Sequence, residues 1–303
     1  MQVRILGSAA GGGFPQWNCS CHNCGRLREG RFAGAARTQA QLAWSGVPGE
    51  WTLVNASPDL RQQIEATPEL WPEGDGRHSP ISDVILTGAE VDQALGLLLI
   101  REFHSFRIHA TAAVRKILTE DNSLFGVLAR FPGQTTWLDV PLDRPFSVGG
   151  ACVEAVPIGG SFPGFVGKMR VAKSRSAEAA IGLLVTPEAG GGTLAFLPGV
   201  GSVSDALMDR LEACDAILFD GTFWSDDEPE RISGLGRRAT QMGHMPISGS
   251  CGSLERLGVL RHPRRIYIHI NNTNPILDEE SMEHRMVRDS GWEIAQDGME
   301  ITL

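Results

Sequence analysis

Three cysteines fall within six residues, in Trp17-Asn18-Cys19-Ser20-Cys21-His22-Asn23-Cys24, directly after Gly11-Gly12-Gly13. Thiolates that close repel one another unless a cation sits among them. A soft tetrahedral ion, zinc above all, accepts three sulfurs from one tight loop and completes its coordination with a fourth ligand. No other feature constrains the fold as much, because it pins an N-terminal loop to whatever segment supplies that fourth ligand. Three unrelated thiols would be an unusual use of this spacing. A disulfide needs an oxidising compartment, and no secretory signal is visible. Met1-Gln2-Val3-Arg4-Ile5-Leu6-Gly7 alternates like a strand and is too short for a signal core. A cytoplasmic setting is the expectation. On spacing alone the fourth ligand stays open: His22 is crowded by the thiolates, and His78 or a distant oxygen or nitrogen donor serves equally well.

The 303 residues suffice for a sizeable core, and we read 1–303 as a single domain. A net charge of −9 leaves no basic stripe to neutralise phosphates, which excludes nucleic acid as a partner. No apolar run reaches the roughly 18 residues that a membrane span needs. The other cysteines, Cys152, Cys214 and Cys251, read as buried thiols.

Strand-like runs recur at Val3–Leu6, Gln39–Trp44, Trp51–Asn55, Asp83–Thr87, Phe106–Ala110, Ala151–Val156, Ala180–Val185, Thr193–Leu197, Ala216–Phe219, Arg265–His269 and Met299–Leu303. Helical patterns lie between several of them. Ser57-Pro58 reads as an N-cap with proline at N1, opening a helix to about Glu65. Asp92–Phe103, Ser204–Ala213, Ser253–Leu260 and Glu279–Asp289 also carry helical spacing. Such a mixture predicts layered sheets with helices outside. The longest irregular stretch, Pro157–Ala179, has the length of a lid or binding loop.

Four segments besides the thiol loop could carry chemistry. In Leu86-Thr87-Gly88-Ala89-Glu90-Val91-Asp92-Gln93, a strand ends and a helix begins. Its two carboxylates can meet a metal or a substrate, or simply stabilise the helix N-terminus. Leu218-Phe219-Asp220 again ends a strand in a carboxylate. Met242-Gly243-His244-Met245-Pro246 sets a histidine in a Gly/Pro turn, where a carboxylate partner would fix its tautomer and raise its basicity. Ile266–Ile270 reads as a strand delivering His269, followed by Asn271-Asn272-Thr273-Asn274-Pro275, and its alternation would put His269 and Asn271 on one face. Adjacent asparagines are costly to bury unless hydrogen-bonded or ligating.

In this order the segments resemble the metallo-β-lactamase superfamily, in its ribonuclease Z-like arrangement. That resemblance implies an α+β fold, an αββα sandwich of two mixed sheets with outer helices. The superfamily signature His-x-His-x-Asp-His would occupy 88–93, where this chain has Gly88, Glu90, Asp92 and Gln93. A dinuclear zinc hydrolase is therefore not expected. Asp220 with His244 resembles the proton-donating acid–histidine pair of the ribonuclease Z branch, and His269 the C-terminal metal-ligand histidine. The longer motifs Leu6–Cys19, Asn55-Ala56-Ser57-Pro58-Asp59-Leu60-Arg61, Phe219-Asp220-Gly221-Thr222 and His269–Pro275 resemble the family of the B protein of pyrroloquinoline quinone (PQQ) biosynthesis from end to end.

That family implies oxygen-dependent hydroxylation of the tyrosine ring of a cross-linked Glu–Tyr precursor, with Fe2+ at the active site and O2 as co-substrate. An alternative for the same family is a carrier that moves PQQ or its precursor toward the periplasm. The family's usual Asp-His at 92–93 is Asp92-Gln93 here. Glu90, Asp92 and His269 then form a carboxylate-rich iron set with Gln93 as a further candidate. Asp220 and His244 become the catalytic pair, and Lys168, Arg170, Lys173 and Arg175 candidates for substrate carboxylates. The Cys19, Cys21 and Cys24 ion becomes a structural Zn2+ with Asn272 as fourth ligand. Partners implied are the precursor or PQQ and other proteins of the pathway, and a homodimer is one assembly the resemblance allows.

Overall fold

A computed structural model describes every residue except 103, 234 and 235. Among the described residues there are fourteen strands: β1 (Gln2–Gly7), β2 (Gln41–Val47), β3 (Glu50–Val54), β4 (Ile81–Ile85), β5 (Phe106–Ala110), β6 (Thr135–Asp139), β7 (Phe146–Val148), β8 (Ala151–Pro157), β9 (Ile181–Pro187), β10 (Leu194–Leu197), β11 (Ala216–Asp220), β12 (Arg264–Ile268), β13 (Trp292–Ile294) and β14 (Glu300–Thr302). Two compact units emerge. One comprises Met1–Leu6, Gln41–Gly191 and Gly298–Leu303, and the other Gly7–Ala40 and Gly192–Asp297.

The first unit holds a mixed sheet in the order β14-β1-β2-β3-β4-β5-β6. β1 runs antiparallel to β14 and β2 to β3, whereas β3 to β6 are parallel neighbours. β7, β8 and β9 pair antiparallel in the same unit. The burial of each strand follows from its setting. β8 alternates buried and exposed positions for most of its length, as a strand solvated on one face must. A core of Trp51, Leu53, Leu60, Val84, Leu86, Leu97, Ile108, Val114 and Ile117 fills this unit. The unit also contains a buried charge cluster. Asp83 faces its register partner Arg107, which donates from Nε at 2.7 Å and from Nη2 at 2.5 Å, and His109 Nε2 lies 2.7 Å from the same carboxylate. Burial alone would raise the Asp83 pKa, but hydrogen bonds from His109, Arg107 and Ser82 hold it far below the usual carboxylate range.

In the second unit β10, β11, β12 and β13 lie parallel in sequence order. β11 is buried at all five positions, an apolar run over Ala216–Phe219, as interior parallel strands show, that ends in Asp220. Tyr267, the single tyrosine, stacks on Trp292 with ring centroids 4.0 Å apart and shares a hydrogen bond with Ser253 at 3.0 Å.

Several elements differ from their sequence patterns, each for a local reason. The helix expected over Asp92–Phe103 is a short helix, Val91–Ala94, followed by a 3₁₀ turn, Leu95–Leu98, and residue 103 lies outside the described residues. Backbone from another segment breaks its ladder: Ala56 N donates to Gln93 O at 2.7 Å, and Gly96 N donates to Ala56 O at 2.8 Å. A Cβ at Gly96 would sit 2.3 Å from Ser57 O, so only glycine admits this approach. Ser57 does not cap the next helix. It is fully buried, with Oγ on Gln63 at 3.0 Å, and the helix starts later, at Leu60. The stretch 157–179 carries a short helix, Lys168–Lys173, and a 3₁₀ turn, Ser176–Glu178. Of the three remaining cysteines only Cys214 is buried; Cys152 is half-buried and Cys251 exposed. Among the described residues no helix is long and apolar enough to cross a membrane.

Candidate functional site

Two clusters of potential metal-ligating groups stand out among the described residues, and both belong to the second unit. The first is the thiol loop. The Sγ atoms of Cys19, Cys21 and Cys24 all lie within 4.8 Å of one another. Asn272 Nδ2 stands 3.1, 3.6 and 3.4 Å from these three sulfurs. Amide nitrogen and oxygen are assigned from the surrounding hydrogen bonds, so a turn of this amide would present oxygen to the same point. Burial pushes the Cys21 thiol up to about 12, with Cys19 and Cys24 adding to the rise. At Cys19 burial is outweighed by hydrogen bonds from the Cys21 backbone and from its cysteine and Asn272 neighbours, which lower the pKa. Three adjacent sulfurs thus cannot all ionise by themselves, whereas a bound cation makes three thiolates mutually compatible. The donor set fits zinc.

The second cluster is assembled from three separate segments. Asp220 ends β11, His269 follows the last residue of β12, and His244 lies after the 3₁₀ turn Thr240–Met242. Their ligating atoms approach within 4.8 Å. Asp220 is completely buried and its oxygens are well supplied: Val200 N at 2.9 Å and His244 Nδ1 at 2.8 Å on Oδ2, Thr222 N at 3.1 Å and Thr222 Oγ1 at 2.5 Å on Oδ1. Burial would raise its pKa, but the charge and hydrogen bond of His244, with His269 and Thr222, keep it below the ordinary value. The carboxylate is therefore ionised at neutral pH, and His244 donates Nδ1–H to it. The His244 lone pair then falls on Nε2, the arrangement of a general base. The His244 and His269 rings stack, with centroids 5.6 Å apart, and Phe223 meets His244 edge-on. His269 is not a strand residue. Its φ of +59° turns the chain out of β12, so strand alternation does not govern where it and Asn271 point.

A buried asparagine network joins the two clusters. Asn23, between Cys21 and Cys24, donates to Asn272 O at 3.1 Å and Asn274 O at 3.0 Å. Asn274 donates to Gly221 O at 2.9 Å, beside Asp220 and Thr222, and caps the following turn through Ile276 N at 3.0 Å. These bonds satisfy the amides of Asn23 and Asn274. Of the adjacent asparagines that the sequence flagged as costly, Asn272 is buried with its amide on the three sulfurs, and Asn271 is half-buried and donates to Thr273 Oγ1 at 2.6 Å. A cleft of about 690 Å³ adjoins the thiol loop, lined by Gln16, Asn18, Cys19, Cys21, Phe223, Met242 and Asn271 among others.

The remaining sequence candidates have definite surroundings. Glu90 and Gln93 form a capping box around the helix Val91–Ala94: the Glu90 side chain accepts from Gln93 N, and Gln93 Oε1 accepts from Glu90 N at 3.2 Å. Asp92 is half-buried in the first turn. Arg170 is clamped by Asp121 at 2.7 and 2.9 Å and by Glu120 at 2.7 Å. Arg175 approaches Glu178 at 3.8 Å, while Lys168 and Lys173 are exposed. Thr222, Val200 and Asn23 are functional neighbours that residue type alone did not single out. Thr222 sat in a recognised motif, but nothing in its type announced a hydroxyl shared between an aspartate and a histidine.

Comparison with known proteins agrees with this architecture. The family model for the beta-lactamase superfamily domain matches residues 50–270. A coenzyme PQQ synthesis protein B from a Methylobacterium species is 44% identical over 304 residues, and one from Nitrosococcus oceani 40% over 312, each match covering all of both chains. The crystal structure of Zn(2+)-bound PqqB from Methylobacterium extorquens superposes over all of both chains with a TM-score of 0.93 at 38% identity. A diphosphatase of the PhnP family, 17% identical with a TM-score of 0.68 over 100% of this chain and 97% of its own, shares the fold. The fold is thus α+β, two mixed β-sheets with helices, of metallo-β-lactamase type. On full-length identity and fold together, the chain belongs to the coenzyme PQQ synthesis protein B family of the β-lactamase superfamily.

Proposed function

We propose that the protein catalyses an iron- and oxygen-dependent hydroxylation of the tyrosine ring in a cross-linked Glu–Tyr precursor of PQQ, in which one oxygen atom enters the ring and the other leaves as water with two electrons from an external reductant. Family membership supports the pathway. The observation that carries the catalytic reading is the Asp220–His244 pair at 2.8 Å beside the His269 ring. The family resemblance would assign Fe2+ to His269, Asp92 and Glu90, with Gln93 where the family has histidine; among the described residues the ligating groups gathered at His269 are Asp220 and His244. Iron, when bound, supplies the one-electron chemistry that lets O2 react with a closed-shell substrate. The protein's own residues orient and move protons. Asp220 holds His244 in one tautomer, and His244 Nε2 takes the phenolic proton as the ring is oxidised. Arg175, Lys168 and Lys173 are candidates for the substrate's carboxylates; Arg170 would first have to leave Asp121 and Glu120.

The Zn(2+)-bound relative supports a metal in this fold. We assign structural zinc to Cys19, Cys21 and Cys24, with Asn272 in the fourth position, on the strength of the sulfur-rich donor set. The cytoplasm is the compartment that best suits these reduced thiols.

Anaerobic reconstitution with zinc and iron, followed by oxygen uptake on adding the cross-linked Glu–Tyr dipeptide together with a reductant such as ascorbate, tests the reading. One zinc, one iron and iron-dependent uptake yielding a hydroxylated product are expected. Tight binding of PQQ with no uptake in the iron-loaded protein would overturn it in favour of a carrier.

A further inference from the structure

We infer that Thr222 is a positioning residue whose hydroxyl dictates which nitrogen of His269 carries the proton. A threonine hydroxyl has one hydrogen and two lone pairs. Thr222 Oγ1 lies 2.5 Å from Asp220 Oδ1, 2.8 Å from His269 Nδ1 and 2.9 Å from His269 O. Three contacts therefore compete for a single proton. The carboxylate is the shortest contact and the only charged acceptor, so it takes the hydrogen. Its other contacts, Val200 N, Thr222 N and His244 Nδ1, are all donors, which leaves no hydrogen on the carboxylate to return. Toward His269 the hydroxyl then presents a lone pair, and Nδ1 must be protonated to meet it. The lone pair of His269 moves to Nε2.

This is the less common neutral form of imidazole in water, where Nε2 usually keeps the hydrogen. The hydroxyl also touches the carbonyl of His269, whose backbone occupies the left-handed region at φ +59°. A non-glycine residue rarely adopts that conformation; with its one hydrogen on Asp220, the hydroxyl fixes the ring through Nδ1 and makes no hydrogen bond to that carbonyl. Two imidazoles are thereby set alike from one buried carboxylate, His244 directly and His269 through Thr222. Under the proposed function, on which this last step alone rests, the orientation matters because a metal needs the Nε2 lone pair.

The test is nitrogen-15 NMR of the histidine side chains in protein loaded with one equivalent of zinc for the thiol loop and no other metal, at about pH 8, above the ordinary histidine pKa of roughly 6.5. His269 is expected as the Nδ1–H tautomer in the unaltered protein and in Thr222→Ser, and as predominantly Nε2–H in Thr222→Val. An Nε2–H ring in the unaltered protein, or a ring unchanged in Thr222→Val, overturns the inference. Should Thr222→Val fail to fold, the unaltered protein and Thr222→Ser still decide it. Titration of zinc-loaded protein with Mn2+, followed by electron paramagnetic resonance, supplies the second readout. Thr222→Val should weaken Mn2+ binding roughly 10- to 100-fold and Thr222→Ser should restore it. A changed tautomer with unchanged Mn2+ affinity would sustain Thr222's role and remove His269 from the proposed ligand set.

Discussion

Asp83 in the first unit and Asp220 in the second are both completely buried carboxylates, with an imidazole nitrogen at 2.7 and 2.8 Å. Both are held below the ordinary carboxylate pKa. Their remaining partners differ. Asp83 meets a guanidinium in a two-pronged contact from the neighbouring strand, so its charge is cancelled where it stands. Asp220 is met by two backbone N–H groups and a hydroxyl, and its charge is directed through two histidines. A buried Asp–His pair is therefore not in itself a sign of catalysis. What distinguishes the second cluster is the absence of an arginine in these contacts and the presence of a second imidazole whose ring stacks on the first.

Substitutions can break or sharpen that contrast. The largest effect is expected for Asp220→Ala, which strips both histidines of their anchor. It should cost about 3–5 kcal/mol in urea unfolding, as breaking a buried charged network does, and abolish hydroxylation. His244→Gln should leave stability within about 1 kcal/mol but slow oxygen uptake by roughly 10²–10⁴-fold, the usual contribution of a positioned acid–base group. Asp83→Ala should cost only about 1–3 kcal/mol, because the Arg107 side chain is 49% exposed and can turn to water. Equal losses for the two aspartates would erase the distinction.

The smallest effect concerns acid. A depressed folded pKa contributes stability that is complete above the unfolded value, about 3.9, and is lost as pH falls toward the folded one. Unfolding followed between about pH 5 and pH 3 should show stability declining in the unaltered protein. The decline should be shallower in Asp83→Asn. A parallel decline in the two would show that Asp83 is not held low.

The parallel core strands were legible because buried apolar runs such as Ala216–Phe219 leave little choice of structure. β6, β7 and β13 were not. β6 has no fully buried position and the other two have three residues each, so no periodicity can build up. The helix Ala112–Thr119 could have been found: Ala113, Val114, Ile117 and Leu118 fall at helical spacing, and Thr111 caps it through Val114 N at 3.3 Å. The thiol loop was readable from local spacing alone. The Asp220–His244 pair needed comparison with a family, since 24 residues separate its members. Thr222 was hidden for a different reason. Its role depends on a ring 47 residues away, and no property of an isolated threonine encodes that distance.

The asparagine network has an evolutionary corollary. Asn23 ties the thiol loop to the backbone of Asn272 and Asn274 through hydrogen bonds of 3.1 and 3.0 Å. One residue inserted between 269 and 274 would displace those carbonyls by roughly 3.3 Å, the rise of an extended residue. Chain length should thus be frozen over 19–24 and 269–274. The exposed stretch 72–76, where a Cβ at Gly74 or Gly76 would meet nothing within 4 Å, is free to grow or shrink as descendants diverge.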